Sequence, residues 1–457
     1  MKYYLYIPLL LMVLFSSCKM GRDFEAPQFE TTSKYRFSNE ELESAVNLKW
    51  WDLFKDPTLD SLIRIALANN QDIRMAAVRI EAAKTNIGYT KADQLPSFTY
   101  GAGVNGSGLS GNNQSSFHIY PELSWEVGFW GKYRRLNEAA QADYLSSQYA
   151  AQTVELGLIS ALVSTYYNIL ANTDLLQIAT STLESRDNGL VIMRDKYEGG
   201  LISKMDYNQA QIQRDVAATV VPRYKRLIAV NETALSLLLG SQPMEITQGI
   251  AFHEHQYELD IPTGIPSELL TRRPDIQTSQ AILHSKTAKI GVAEALRWPS
   301  FNITGMLGAA SSDLTDFTSM GVTWSAGGNL FGPLFQFGKN KDRVTLAEKE
   351  AELAYLQYEQ TVIGAFKEVE DALIKIDTYK EELIAQESRT ETSVESEELS
   401  HIRYDEGSTT YLEVLEQQRQ AFSAQLDLLS NRLNLINSYI LLYKALGGGW
   451  QVDTNNQ

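Results

Sequence analysis

The sequence has one cysteine, Cys18, so no internal disulfide can form. The five histidines are scattered, and a zinc site at His253 and His255 would need further ligands, so we expect a surface loop there. There is also no phosphate-binding loop, nucleophile elbow or zinc-protease motif in the sequence. The sequence therefore predicts no enzyme, no metal site and no other bound cofactor.

Basic residues are in the minority, with 40 lysines and arginines against 56 aspartates and glutamates and a formal net charge of −16. Binding to nucleic acid depends on basic patches that neutralise phosphates, so nucleic acid is not expected as a partner. With 44% hydrophobic and 21% charged residues, the composition fits neither a disordered chain nor a multispan helical membrane protein.

Proline is absent between Pro121 and Pro222 and again after Pro333. Because proline breaks helix interiors, the segments Lys132–Glu198 and Lys339–Asp405 can each form one helix of about 100 Å at 1.5 Å per residue. Apolar residues in these and the following helices are spaced alternately by three and four, which is typical of coiled coils. A soluble antiparallel coiled coil would show the same pattern.

The chain repeats itself at an offset of about two hundred residues. Residues 95–98 match residues 298–301 at an offset of 203, and Leu239-Gly240 matches Leu446-Gly447 at 207. Such a long period indicates a duplicated half-molecule rather than a solenoid repeat.

Each half contains stretches in which apolar and polar residues alternate, a period that predicts half-buried strands. The apolar sets are Phe98, Tyr100, Ala102 and Val104; Phe117, Ile119, Leu123, Trp125 and Val127; Phe301, Ile303, Gly305, Leu307 and Ala309; and Val322, Trp324 and Ala326. Strands of this kind suit a membrane β-barrel with lipid on one face and water on the other. The alternative interpretation is a small soluble hairpin packed on a helix.

Four strands cannot close a barrel, and lipid does not tolerate an open sheet edge. Eight strands close, but side chains then fill the interior. We therefore predict that three copies of the chain form a barrel of twelve strands.

The N-terminus predicts export. Lys2 precedes an apolar run at residues 3–15, and Ser16-Ser17-Cys18 follows, so residues 1–17 form a predicted secretory signal peptide. The ending resembles a bacterial lipobox, which implies cleavage before Cys18 and a covalent lipid on its thiol; an incidental cysteine is the alternative. No other stretch is expected to approach the roughly 20 apolar residues of a transmembrane helix.

The chain also resembles the TolC-like outer-membrane factors of bacterial efflux systems, in particular the lipoprotein branch typified by OprM and CusC. The motifs that carry this resemblance are Trp51-x-x-Phe54-x-Asp56-Pro57, Ala66-Leu67-x-x-Asn70-x-Asp72-Ile73, Arg272-Arg273-Pro274-Asp275-Ile276 and Leu446-Gly447-Gly448-Gly449-Trp450.

The resemblance implies a mainly α-helical homotrimer in the bacterial outer membrane. Its twelve-stranded barrel would continue as a long antiparallel α-helical barrel across the periplasm. The implied function is a passive efflux channel that works with a periplasmic adaptor and an inner-membrane transporter, often a proton-driven one. Two alternatives remain: a lipid-anchored periplasmic coiled-coil adaptor, and an outer-membrane barrel enzyme for which Ser116 and His118 are candidates.

The resemblance further implies a gate at two helical hairpin tips, where Tyr-x-x-Gly is followed by acidic residues. Gly200 and Gly407 mark the tips, and the implied gate and selectivity residues are Asp206, Tyr404, Leu412, Glu413 and Glu416. Thr409 replaces an arginine that links neighbouring subunits in lipid-free relatives, so an arginine-based lock is not expected. An ordinary exposed helix face is the alternative interpretation of Glu413 and Glu416.

Together these features divide the chain into six parts. They are a signal peptide at 1–17, a lipidated tail at 18–49, a first repeat at 50–240 with strands at about 97–127, a linker at 241–265, a second repeat at 266–450 with strands at about 300–330, and a tail at 451–457.

Overall fold

The structure is a computed structural model that describes residues 20–29, 34–37, 55–109, 112–255, 266–311 and 321–448. Several predicted features lie outside these ranges: the signal peptide at 1–17, Cys18, most of the tail at 18–49, the motif residues Trp51, Phe54, Gly449 and Trp450, residues 256–265 of the linker at 241–265, and the tail at 451–457.

The two halves of the chain contain the same elements in the same order. The first half forms α1 (Pro57–Asn69), α2 (Gln71–Ala92), β1 (Ser97–Leu109), β2 (Asn112–Val127), α3 (Lys132–Glu198) and α4 (Lys204–Leu238). The second forms α5 (Leu269–Arg272), α6 (Pro274–Ala295), β3 (Ser300–Ser311), β4 (Gly321–Phe331), α7 (Lys339–Asp405) and α8 (Tyr411–Ala445). Short 3-10 helices lie at Phe252–Glu254 and Pro266–Glu268. Both predicted long helices are confirmed; α3 and α7 have 67 residues each, and α4 and α8 have 35 each.

Two compact units make up the chain. The first contains residues 1–29, 77–150 and 275–361, and the second contains residues 30–76, 151–274 and 362–457. All four strands belong to the first unit, where they form one antiparallel sheet in the order β1-β2-β3-β4.

The strand register determines which side chains share a face of the sheet. Ala102 pairs with Ile119, Ile119 with Ala309, and Ala309 with Val322. Directly paired residues lie on the same face, and every second residue along a strand returns to it. The four apolar sets predicted from alternation therefore all lie on one face of the sheet.

In the second unit, the hydrophobic core is built from the central parts of the long helices. Leu162, Val163, Tyr166 and Val369 are fully buried there, together with Leu435. Burying a side chain of this size stabilises the fold by about 1.5–3 kcal/mol. The spacing of three and four places these residues on the inner faces of their helices.

Helix α3 departs from one expectation of the sequence. By length and composition it contains a stretch apolar enough to cross a membrane, and no such stretch was expected beyond the signal peptide. However, 61% of that 18-residue stretch is buried inside the protein. This burial is what a core helix shows, so the apolar stretch is explained by packing.

The segment around His253 and His255 is only in part the surface loop that the sequence predicts, because the side chain of His253 is exposed. His255 is buried, its Nε2 lies 4.0 Å from Oδ2 of Asp56, and burial lowers the pKa of His255. His253 Nδ1 lies 2.8 Å from Oδ2 of Asp174. Across the described ranges, no three metal-ligating side chains cluster together. His253 thus ties this segment to Asp174 on α3, and His255 is buried within the second unit.

A matched pair of glycines ends α4 and α8. Gly240 has a φ of +72°, and a Cβ there would lie 2.5 Å from the carbonyl oxygen of Asn69. Gly447 has a φ of +86°, and its Cβ would lie 2.9 Å from the carbonyl oxygen of Arg272. The duplication has thus preserved the same close backbone approach in both halves.

These glycines generate a stability prediction. Gly240→Ala and Gly447→Ala should lower the unfolding midpoint of the purified protein. Each substitution places an alanine in the left-handed backbone conformation, which costs about 1–2 kcal/mol. It also creates a steric contact, which costs about 1–3 kcal/mol. Gly200 and Gly407 are the controls: each has a positive φ but no described atom within 4 Å of a built Cβ. Equal shifts of the unfolding midpoint at all four positions would show that the close backbone approach does not contribute to the loss of stability.

Candidate gate at the helical hairpin tips

The two hairpin tips have the same local geometry. Gly200 and Gly407 have φ values of +72° and +74° and follow the ends of α3 and α7. At the first tip, Leu201 N donates to Lys196 O at 2.8 Å. At the second, Ser408 N donates to Arg403 O at the same distance. These bonds satisfy the last carbonyls of each helix and reverse the chain within a few residues.

Asp206 has a helix-capping role at the first tip. Its Oδ2 accepts hydrogen bonds from Ser203 Oγ at 2.8 Å and Ser203 N at 3.2 Å, and its own N donates to Ser203 Oγ at 3.2 Å. This capping box satisfies two backbone donors at the start of α4. The carboxylate is therefore held at the tip by a local contact.

Tyr404 connects the two hairpins. Lys196 Nζ, on α3, donates a hydrogen bond of 2.7 Å to the Tyr404 hydroxyl and lies 4.7 Å from the centre of the Tyr404 ring. The Tyr404 ring also lies 5.1 Å from the ring of Tyr411. Lys196 was not among the predicted gate residues, although a basic residue directly before the matched tyrosine Tyr197 was an available signal.

Glu413 is held within its own hairpin. Arg403, near the end of α7, forms a salt bridge with one carboxylate oxygen, and the Thr409 hydroxyl donates to the other. At Thr409, for which the resemblance implies an arginine in lipid-free relatives, this chain supplies a hydroxyl to a neighbouring carboxylate. Arg403 was not predicted, because its pairing with Glu413, ten positions later, depends on the turn between them.

Glu416 lies further along α8 and pairs with residues on the same helix. Arg419 Nε and Gln420 Nε2 donate to its carboxylate at 3.0 and 2.8 Å. The hydrogen bond from Arg419 is the main reason that the pKa of Glu416 lies below its usual value, and Gln420 contributes next. The side chain is half-exposed, so this pairing adds little stability. Glu416 therefore remains ionised at neutral pH.

An apolar cluster lies behind these polar contacts. Met193, Ala210 and Leu415 are buried together, and the partly buried side chains packed against them are Leu190, Ile202, Tyr207 and Tyr411. Leu412, in contrast, is 39% exposed. The structure thus joins the two hairpins through this cluster and the contact between Lys196 and Tyr404, while Asp206, Glu413 and Glu416 each have separate partners.

A sequence profile of the family described as "Outer membrane efflux protein" matches residues 62–241 and 265–448. The solvent efflux pump outer membrane protein SrpC of Pseudomonas putida is 31% identical over 98% of this chain and 99% of its own length. The cation efflux system protein CusC of Escherichia coli is 28% identical over 97% and 98%. The crystal structure of the CmeC outer membrane channel of Campylobacter jejuni aligns with a TM-score of 0.89 at 26% identity, covering 95% of this chain and 96% of CmeC.

These similarities extend over nearly the whole chain and both of its halves. They confirm the fold class predicted from the sequence, in which each chain contributes four strands and long helices to the trimeric channels of this family. The predicted efflux function and outer-membrane location are confirmed by the same comparisons. The chain belongs to the outer membrane efflux protein family.

Proposed function

We propose that three copies of this chain form the passive outer-membrane duct of a tripartite efflux pump. The observation that carries this proposal is the four-stranded sheet, whose outer strands β1 and β4 each pair with one described strand only. Backbone groups at such an edge must be paired in lipid. Three sheets joined edge to edge satisfy that requirement and leave a pore wider than that of an eight-stranded barrel.

The proposed partners are a periplasmic adaptor and an inner-membrane transporter, for which a proton-driven pump is the favoured class. The support is that SrpC is named as a component of an efflux pump. The alternative that this chain is itself a periplasmic adaptor is disfavoured. A soluble β domain would bury the apolar face of its strands, whereas Val322 and Trp324 are 77% and 76% exposed.

We also propose that the chain has no catalytic activity. The barrel-enzyme alternative depended on Ser116 and His118, and His118 stacks on Tyr120 with ring centres 5.6 Å apart. The similarities do not single out one class of cargo, because SrpC is named for solvents and CusC for cations, and this chain is 31% and 28% identical to them.

The proposed barrel generates a prediction about the two faces of the sheet. Ile119→Arg and Val322→Arg should each cost about 2–4 kcal/mol if the sites lie near the bilayer midplane, because an arginine would face lipid. Ser124→Arg and Thr323→Arg on the opposite face are the controls and should be mild. Folding into lipid vesicles, followed in a urea titration, measures the difference. Equal tolerance at the two pairs of sites would refute the proposed facing.

The hairpin tips are proposed as the periplasmic gate, with Asp206, Tyr404, Leu412, Glu413 and Glu416 as its residues. Three-fold symmetry would bring three copies of each carboxylate around one axis, where they would attract cations and repel one another. The closed state must therefore be held by contacts other than these charges. The contact between Lys196 and Tyr404 and the apolar side chains near Leu412 can provide them.

The gate proposal predicts different effects for charges and for contacts. Glu413→Gln combined with Glu416→Gln should lower cation preference and block by multivalent cations in single-channel recordings. Tyr404→Phe, Lys196→Met and Leu412→Ala should instead raise conductance, because they remove contacts that close the tips.

The control for this experiment is Thr409→Val, which removes a hydrogen bond to Glu413 without changing the charge. It should leave cation preference close to that of the wild type. If cation preference and conductance are unchanged in all charge and contact variants, the gate does not lie at these tips.

We propose further that Cys18 carries a covalent lipid, on the support of the small-small-Cys sequence. Cys18→Ser should abolish palmitate labelling while part of the protein still fractionates with the outer membrane, because one acylated terminus anchors only modestly beside a barrel. A wholly soluble Cys18→Ser protein would contradict the membrane barrel.

A further inference from the structure

The helices attached to the sheet follow the same order as its strands. Helices α2, α3, α6 and α7 are connected directly to β1, β2, β3 and β4, respectively. The side-chain contacts between neighbouring helices are Asn137 Nδ2 to Thr90 Oγ1 at 2.9 Å between α3 and α2, Lys289 Nζ to Asp143 Oδ2 at 3.3 Å between α6 and α3, and Lys286 Nζ to Glu350 Oε2 at 2.8 Å between α6 and α7. Helices α2 and α7 are therefore the outer members of this layer, as β1 and β4 are of the sheet.

Helix α2 carries two largely apolar stripes on opposite faces. The stripe that packs within the chain is buried or half-buried and contains Ile73, Ala76, Ile80, Ala83, Ile87 and Thr90. The second stripe is displaced from the first by two residues, or about 200° around the helix. Its members are all exposed, and they are Met75, Val78, Ala82, Thr85 and Tyr89. Both stripes alternate spacings of three and four, so α2 has the pattern of a helix with a coiled-coil neighbour on each side.

Helix α7 repeats this arrangement where it leaves the sheet. Its stripe toward the chain is buried or half-buried and contains Val344, Ala347, Ala351, Ala354 and Tyr358. Two residues further on, an exposed stripe contains Leu346, Lys349, Leu353 and Leu356. Lys349 is its polar member, and its Nζ lies 2.6 Å from Glu352 on the same helix. Both outer helices of the layer thus expose an apolar stripe to water.

Chain connectivity brings the two exposed stripes to the proposed junction between copies. The start of β1 and the end of β4, where α2 and α7 are attached, lie at the same end of the sheet. In the proposed barrel, β4 of one copy pairs with β1 of the next. Helix α7 of the first copy then lies beside α2 of the second, and contact between the stripes removes both from water.

The two stripes also match in their distance from the sheet. Val78 lies 14 residues before the end of α2, and Leu353 lies 14 residues after the start of α7. At 1.5 Å per residue, each is about 21 Å from the helix end next to the sheet. Thr85 and Leu346 each lie seven residues, about 10 Å, from the same helix ends. Antiparallel packing of α2 against α7 therefore places stripe residues opposite one another.

The edge strands themselves specify their pairing only weakly. Both are rich in glycine, at Gly101, Gly103, Gly106 and Gly108 in β1 and at Gly321, Gly327 and Gly328 in β4. Strands of this composition are prone to slip in register. A slip of two residues keeps the same face toward lipid and moves the strands by about 7 Å. A coiled-coil stripe repeats only after seven residues, about 10 Å, so a formed seam would oppose that slip.

We propose that α2 of one copy and α7 of the next form an apolar coiled-coil seam, and that this seam fixes the register in which β1 and β4 pair between copies. The partner of the two exposed stripes is a second copy of this chain. This inference rests on the proposed trimer and identifies the surface that selects the strand register within it.

Disulfide crosslinking of the full chain in its membrane tests the seam, because Cys18 is the one native cysteine. Val78→Cys combined with Leu353→Cys should give covalent trimers after mild oxidation. Thr85→Cys combined with Leu346→Cys should give the same product.

The control for the seam is Ala77→Cys combined with Leu353→Cys. Ala77 is exposed and lies at nearly the same height as Val78, but about 100° away around α2. This pair should leave most copies uncrosslinked. Equal crosslinking of the control pair would show that the stripes do not determine the contact between copies.

A second set of crosslinks reports the register of the strands. Ala326→Cys on β4 is combined in turn with one cysteine on β1, at a position on the same face of the sheet. The positions are Phe98, Tyr100, Ala102 and Val104. One of these pairs should account for nearly all of the crosslinked product, because the seam allows a single register.

Disrupting the seam should then release the register. Val78→Asn combined with Leu353→Asn should spread the strand crosslinks over at least two of the pairs. The two native side chains are 63% and 56% exposed, so these changes leave the core of the single chain intact. Ile192→Asn is the matched control, because Ile192 on α3 is 54% exposed and lies outside both stripes. It should leave the product in one pair.

The outcomes separate this inference from the proposed trimer. Strand crosslinks without seam crosslinks would overturn the seam and leave the trimeric barrel in place. An unchanged single pair in the seam variant, or seam crosslinks without any strand crosslink, would overturn its role in setting the register. Absence of every crosslink between copies, in helices and strands alike, would instead refute the trimer.

Discussion

Hydrogen bonding of the backbone in a medium without water is the constraint on which this protein depends. The apolar face of the sheet is suited to lipid, but a four-stranded sheet has two edges, and lipid cannot satisfy their N–H and C=O groups. A single chain therefore cannot be the functional unit in the membrane. The need for several chains to join their sheets edge to edge follows from this one requirement.

The membrane surroundings also explain why the apolar face of the sheet is not buried within the chain. In the described part of the sheet, Val322, Trp324 and Leu330 of β4 remain largely exposed. Their free energy of burial becomes available only when lipid covers them. The helices of the second unit, in contrast, bury their apolar residues within the chain. The two units thus obtain their stability from different surroundings.

Much of the fold could be predicted because its signals are local. The absence of proline defined α3 and α7, and period-two alternation defined the strands and the face that their apolar residues share. The burial of His255 beside Asp56 was missed because it brings together positions about two hundred residues apart.

Only part of the candidate site could be predicted, because several of its contacts form only when the chain folds. Motif position identified Tyr404 and Glu413, but their partners Lys196 and Arg403 depend on how the chain turns and how the hairpins meet. Residues that lie side by side only after folding leave no periodic signal in a single sequence. The contacts of Arg135 with the carbonyl oxygens of Met20 and Gly21 belong to the same class.

The equal lengths of the paired helices have an evolutionary consequence. Both long helices have 67 residues and both of the helices that follow them have 35, so the two hairpins have matching dimensions. Deleting seven residues from α3 alone would shorten it by about 10 Å. Lys196 would then no longer reach Tyr404, unless α7 lost the same length. Insertions and deletions within one of the two long helices can therefore persist only when the other long helix acquires a matching change.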